Sequence, residues 1–462
     1  MRSAHLSVAG LAAPFRRKAR PALARPYVIM LTFAAIICAG TVLLYLPVSA
    51  QRGSTSLTHA LFIATSATAV TGLTPLDPGA HFSVFGQVVI LGLIQLGGVG
   101  FASASVIVFA FTRRDVGLGG RLLLQESLGT GEMGGVLALS AYILRVTLAI
   151  EAVGFVLLAA RFVPEYGLQR GLWLSLFQAI STFCNAGFDI FGSVERPFVG
   201  LSEYRTDVYV NLVVASLIIL GGISFPVLAE LARYRAHRRL SMYTKLILTV
   251  TASLLLVGTL SYALIEWSNP ETLGPLPVGR KLIAAFFASV TLRTAGIAMI
   301  APSALAATTQ VISMALMLIG ASSESTGGGI KTNTFGVLMA AVWDTLRGRE
   351  KIHVYGRRLA PETVYKAMTV TTVAVMAVGL ISLVLSAVED APYKRLLWET
   401  VSAFATVGLT LDLTPTLSTA GLLIITFTMY WGRIGPLSLV TALVAREEPE
   451  PISYPVERIP IG

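Results

Sequence analysis

Charge is what this sequence has least of. Only 13% of its 462 residues are Asp, Glu, Lys or Arg, against about a quarter in soluble domains, while 54% are hydrophobic and the mean hydropathy is +0.74. That shortage excludes a water-soluble domain and leaves a polytopic membrane protein. Cysteine is nearly missing too: Cys38 and Cys184 form no spacing motif. Five histidines (His5, His59, His81, His237 and His353) are scattered along the chain, so no metal centre is expected. No nucleophile–base pair stands out, which argues against a membrane enzyme.

Apolar segments of spanning length, about 20 residues, are abundant. They cover Tyr27–Val48, Phe85–Phe111, Tyr142–Val163, Val208–Leu231, Thr244–Ile265, Val364–Leu385 and Ala420–Ala445. An eighth, Ala304–Thr345, is split by "GASSESTGGGIKTN" (Gly320–Asn333). The net charge of +10 does not point to nucleic acid, because Lys and Arg gather at Arg16–Arg25, Arg113–Arg121, Arg233–Lys245 and Arg347–Lys366. These clusters precede the first span and follow every second span. The positive-inside rule then places them and both termini in the cytoplasm, facing anionic lipid. "LPVSA" (Leu46–Ala50) offers small residues after an apolar run, but that run has spanning length, so a retained first helix is expected rather than a cleaved signal.

Between the spans lie four shorter apolar stretches, each running into a glycine. They read Leu57–Leu73, Leu172–Phe188, Lys281–Ile297 and Arg395–Leu409. Their glycines Gly72, Gly187, Gly296 and Gly408 are separated by 115, 109 and 112 residues. One "TG" or "AG" pair is an ordinary turn; four at a near-constant period form a repeat of span, half-span, small-residue loop and span. Non-helical backbone at membrane depth is tolerated only inside protein or along a water-filled path. Four such loops can surround one axis, their carbonyls replacing an ion's hydration shell, with glycine supplying the positive φ that turns the backbone inward. The expected fold is an all-α membrane protein with four span–pore-helix–filter-loop–span repeats around one central pore.

The second spans share small residues at comparable points: "LGGVGF" (Leu96–Phe101), "LGGISF" (Leu220–Phe225), "IGASS" (Ile319–Ser323) and "WGRIGP" (Trp431–Pro436). In the first two repeats close helix packing accounts for them. The other two carry polar or charged groups that packing does not require. The third is like a phosphate loop only superficially, because Ile330 separates glycine from lysine and the flanks are membrane spans, so that reading is rejected.

With "AVTGL", "FCNAGF", "LRTAGI", "ATVGL", "STGGGIKT" and "GRIGPL" in this order, the chain resembles the Trk/Ktr/HKT superfamily of potassium transporters over about 26–445. Its length and loop are most similar to the Ktr-type membrane subunit. It departs from the family in ending its third loop "TAGI" and in carrying a basic N-terminal extension. The resemblance implies filter carbonyls at Val70, Thr71 and Gly72; Asn185, Ala186 and Gly187; Thr294, Ala295 and Gly296; and Thr406, Val407 and Gly408, with potassium as the ion they hold. It implies a gate formed by Ser322, Ser323, Glu324, Ser325, Thr326, Gly327, Gly328, Gly329, Lys331 and Arg433. It further implies a homodimer, a cytosolic nucleotide-binding RCK ring and no cofactor in the chain itself, with a sodium role left open.

Gly327–Gly329 are expected to break the helix, with Ser322, Ser323, Ser325 and Thr326 satisfying the freed backbone. Lys331 reads either as a snorkelling anchor or as part of the gate, and Arg433 as a barrier that holds the loop through carbonyls or Glu324. Arg293 reads as a brace for the third loop through carbonyl contacts, with repulsion of cations the other reading. Arg145 and Glu151 are assigned no transport role. The resulting division is 1–25 basic extension, 26–120 first repeat, 121–240 second, 241–350 third with its loop at 320–333, 351–446 fourth, and 447–462 tail. The rival reading is a solute transporter with broken helices at the midplane, against which the four same-direction loops argue.

Overall fold

The computed structural model describes residues 25–112, 136–349 and 351–435. Residues 1–24 of the basic extension, the 113–121 cluster, residues 436–445 of the last expected span and the 447–462 tail lie outside these residues. Helices dominate: α1 (Arg25–Tyr45), α2 (Leu57–Ala69), α3 (Val84–Thr112), α4 (Val136–Tyr166), α5 (Leu168–Phe183), α6 (Val208–Gly222), α7 (Phe225–His237), α8 (Met242–Ile265), α9 (Val278–Thr291), α10 (Ala307–Leu318), α11 (Thr332–Leu346), α12 (Pro361–Ser386), α13 (Tyr393–Phe404) and α14 (Thr419–Ile434). One small antiparallel hairpin joins His353–Val354 to Arg357–Arg358.

Several starts are written in the sequence. Ser56, Asp207, Ser241 and Ser418 cap α2, α6, α8 and α14, each side chain accepting from the backbone N–H three residues on, which satisfies one of the donors a helix start leaves free. In the described part, α4 over Ser140–Tyr166, α8 and α12 are long and apolar enough to cross a bilayer. The four half-spans are the short helices α2, α5, α9 and α13, of 13, 16, 14 and 12 residues. At 1.5 Å per residue these reach about 18–24 Å, short of the ~30 Å hydrocarbon core.

Two spans expected to be continuous are not. Val208–Leu231 is broken at Ile223–Ser224, where α6 and α7 bend by 105°. Pro226 sits in the first turn of α7; without an N–H it cannot bond back to Gly222, and its ring opposes that carbonyl. Phe85–Phe111 is kinked at Gly100, whose φ of 73° and ψ of 179° are not helical. The split segment breaks as expected, between α10 and α11, and α14 stops at Gly435 with φ 100°.

The glycines before these breaks do pack tightly. A Cβ on Gly97 would overlap Thr68 O, one on Gly221 would overlap Phe183 O, and one on Gly432 would overlap Phe404 O. Each target lies four residues before a loop glycine, so α3, α6 and α14 rest on the C-terminal turns of α2, α5 and α13 in the same way. Only glycine allows that approach of helix to backbone.

Candidate functional site: a ring of four loops above a glycine-rich segment

Each short helix ends because the chain turns left-handed. Val70, Asn185, Thr294 and Thr406 have φ of 57°, 58°, 65° and 53°, and two residues later Gly72, Gly187, Gly296 and Gly408 have φ of 94°, 71°, 68° and 95°. Left-handed backbone is a genuine outlier for β-branched residues such as Val70, Thr294 and Thr406, costing of order 1–3 kcal/mol where surroundings enforce it. The enforcement is visible. Thr71, Ala186 and Val407 N–H donate to the carbonyls of Ser66, Ser181 and Ser402 at 2.8 Å, and Ala295 donates to Thr291 O at 3.0 Å. The same four residues add their hydroxyls: Ser66 and Ser402 accept from Gly72 and Gly408 N–H at 3.1 and 3.0 Å, while Ser181 and Thr291 donate to Phe188 O and Ile297 O at 2.5 and 2.7 Å. The sequence reading missed these hydroxyls, although each stands five or six residues before its glycine.

The four loops meet. A Cβ on Gly72 would lie 2.6 Å from Ala186 O, and one on Gly187 would lie 2.9 Å from Ala295 O. One on Gly296 would overlap Val407 O, and one on Gly408 would overlap Thr71 O. The loops therefore close into a ring in sequence order. Four helix C-termini end at it, each carrying partial negative charge from its unpaired carbonyls. On one side of the ring is a cavity of about 540 Å³ lined by the four glycines with Asp77, Asp189 and Asp412. These carboxylates, also missed in the sequence, make that mouth attractive to cations.

On the other side lies the segment between α10 and α11. Gly327 faces Thr294 Oγ1 and Gly328 faces Thr406 Oγ1, close enough that a Cβ on either glycine would overlap the hydroxyl. Both threonine hydroxyls are buried and make no hydrogen bond. The segment is held by backbone that the broken α6–α7 span leaves free. Ser322 N–H donates to Gly222 O at 3.1 Å, Thr326 N–H to Gly221 O at 3.2 Å, and Phe225 N–H to Glu324 O at 3.0 Å. The proline break in the second repeat thus supplies the acceptors for the glycine loop of the third.

Side chains complete the hold. Thr326 Oγ1 donates to Gly221 O at 2.9 Å and Ser325 Oγ to Ser322 O at 2.6 Å, satisfying backbone as expected. Ser322 and Ser323 do not: their hydroxyls bond the side chains of Thr332 and Asn333. Lys331 turns back, its Nζ donating to Gly327 O at 2.7 Å, so it is tied into the loop rather than reaching for an interface. Gly329 has φ 70° and lies against Gly320 Cα. Arg433 donates from Nη1 to Thr326 O and from Nη2 to Gly97 O, joining α14, α3 and the loop. Of its two expected partners it takes carbonyls; among the described residues it forms no ion pair with Glu324, whose backbone is left-handed at φ 57°.

One other expectation fails. Arg293 is buried, but its Nε and Nη1 make no hydrogen bond, so it does not brace the third loop through them. Glu151, assigned no transport role, is 5% exposed and paired inside the bundle: it accepts from Gln95 Nε2 at 3.2 Å and has Cys184 Sγ at 3.7 Å, directly before the second loop. Arg145 does stay exposed, its Nε on Ala141 O.

Comparison with known proteins fits this geometry. The profile of the TrkH family, described as a cation transport protein, matches residues 4–451. The chain is 41% identical over 430 residues to the Ktr system potassium uptake protein B of Bacillus subtilis, covering 93% of this chain and 95% of that protein. It is 39% identical over 441 residues to the protein of the same name from Vibrio alginolyticus, covering 95% of each. Against the potassium/sodium uptake protein NtpJ of Enterococcus hirae it is 37% identical over 454 residues, covering 97% and 99%. The fold is similar to that in the crystal structure of the potassium transporter TrkH from Vibrio parahaemolyticus, with a TM-score of 0.73 at 16% identity, covering 94% of this chain and 87% of the other. With matches of this extent, the chain belongs to the TrkH family of cation transport proteins.

Proposed function

We propose that this chain is the potassium-translocating membrane subunit of a Trk/Ktr-type uptake system, working as a channel-like path gated by its own intramembrane loop. The observation that carries the reading is the closed ring of four left-handed glycine loops with Gly327 and Gly328 set directly beneath it. Cations gather at the carboxylate-lined mouth, exchange water for the carbonyls of Val70–Gly72, Asn185–Gly187, Thr294–Gly296 and Thr406–Gly408, and meet the segment 320–333. One glycine per loop makes a shorter, less regular filter than a TVGYG loop, with fewer ion sites. An inside-negative potential supplies about 2.3 kcal/mol per unit charge per 100 mV, enough to drive accumulation without a second substrate.

In this reading the four repeats surround one pore, both termini face the cytoplasm, and two copies form a dimer. A separate nucleotide-binding ring on the cytoplasmic side displaces the loop. The chain is a transporter and not an enzyme, as its family suggests. A second reading, sodium or mixed-cation uptake on the same fold, is favoured by the 37% identity to a potassium/sodium uptake protein.

Purified protein in liposomes separates the two. Rubidium uptake blocked far more strongly by potassium than by sodium or lithium supports potassium translocation. Equal block by sodium selects the mixed-cation reading, and absence of any monovalent cation flux overturns both.

A further inference from the structure

The helix before the fourth loop differs from the other three. α2, α5 and α9 contain no acidic residue, whereas α13 carries Glu399, which is fully buried. Its carboxylate accepts from Thr410 Oγ1 at 2.9 Å and from Thr414 Oγ1. Thr410 Oγ1 in turn accepts from Leu413 N–H at 3.0 Å. Both partners lie in the stretch leaving the ring just after Gly408. The residues beside Glu399 reach the same stretch: Trp398 Nε1 donates to Leu409 O at 2.9 Å, and Arg395 donates from Nε to Leu411 O at 3.1 Å and from Nη2 to Asp412 O at 2.8 Å. A buried carboxylate is costly where an apolar side chain would pack, and this one spends both oxygens on two threonines of a single segment.

We infer that Glu399 is a positioning residue for cation selection. It clamps Thr410 and Thr414, thereby fixes the outer backbone of the fourth loop, and holds the Val407 and Gly408 carbonyls at the spacing of the larger ion. The inference rests on the proposed ring as the selecting element. With the clamp released, the fourth loop yields to the smaller cation and discrimination against sodium falls, while the path stays open. Because α2, α5 and α9 carry no such carboxylate, the ring has one clamped member, and selection is more sensitive to α13 than to its counterparts.

The test is sodium and potassium competition against rubidium uptake in liposomes, using Glu399→Gln, Thr410→Val and the pair together, normalised to monodisperse protein. The amide of Glu399→Gln keeps one acceptor and loses the other, and Thr410→Val removes one donor. Each is expected to reduce the ratio of sodium to potassium inhibition constants by about two- to tenfold, the range for one net hydrogen bond, with rubidium flux retained. The pair acts on the same clamped segment and should shift the ratio in the same direction by no more than the product of the two single changes, and Thr410→Ser should keep the parent ratio. A parent ratio unchanged in both single variants overturns the clamp while leaving the ring intact. Should Glu399→Gln fail to fold, Thr410→Val against Thr410→Ser decides alone: equal ratios overturn the clamp. A parent that itself fails to discriminate overturns both the clamp and the potassium reading.

Discussion

Replacing Arg433 with alanine removes the two hydrogen bonds from its guanidinium to Thr326 O and Gly97 O. A hydrogen bond from a charged donor contributes about 1.5–3 kcal/mol net, and only the bond to Thr326 belongs to the loop. Losing it therefore biases the loop from its place under the ring toward displacement by roughly 1.5–3 kcal/mol, or about ten- to a hundredfold in equilibrium. The loop keeps its other ties, Thr326 and Ser322 to α6 and Glu324 O to Phe225 N–H, so the expected gain in flux lies near the lower end, about tenfold. Removing a fixed positive charge from the proposed path would act in the same direction. Rubidium uptake into liposomes, normalised to protein recovered as a single size-exclusion peak, measures the effect. Arg433→Lys keeps the charge without the two-pronged fork and should fall between parent and alanine. A well-folded Arg433→Ala with parental flux removes Arg433 from the gate; poor recovery with no gain in flux makes it a structural arginine.

Deleting Ser322–Thr326 removes the rest of the loop's ties to α6, and flux per folded protein should rise; an assembled deletion with lower flux at every potassium concentration would mean the segment is purely structural. Gly221→Ala drives a Cβ into Phe183 O and should destabilise by about 1–3 kcal/mol or more, as overpacking does, lowering the thermal midpoint of the purified protein. Gly92→Ala in α3 meets nothing within 4 Å and is the control; equal midpoints for the two would undo the packing argument. Restoring a helical turn with Pro226→Ala should draw Gly222 O back toward its own helix, weaken its bond to Ser322 N–H and raise basal flux; unchanged flux in folded protein would separate the α6–α7 break from the gate.

The short helices and their left-handed exits were legible because they are local. A half-length apolar run, a small-residue turn and a glycine recur within about 17 residues, and neither the short helix nor its left-handed exit needs a distant partner to be recognised. The loop at 320–333 was legible for the same reason: three glycines cannot continue a helix without cost. The break at Ile223–Ser224 was not, although Pro226 signals it, because hydropathy measures how apolar a window is and not whether its backbone is continuous. What lies across the fold was hidden as well. Nothing near "WGRIGP" says that Arg433 reaches Gly97, 336 residues away, and nothing near Glu151 says that Cys184 lies beside it. The ring order, with each glycine against the carbonyl of the next repeat, is likewise a property of packing alone.

That ring is the centre of the account, and serine substitution of each glycine in turn tests it most directly. Gly72→Ser, Gly187→Ser, Gly296→Ser and Gly408→Ser each place a side chain on a left-handed residue against the backbone of a neighbouring repeat. Sodium competition against rubidium uptake should therefore strengthen in all four. The change should be largest at Gly296 and Gly408, whose added Cβ overlaps a carbonyl, and smallest at Gly187, where the nearest atom is 2.9 Å away. Parental competition in folded Gly72→Ser and Gly408→Ser, which stand in different repeats but share one contact, would contradict a single filter built from four loops.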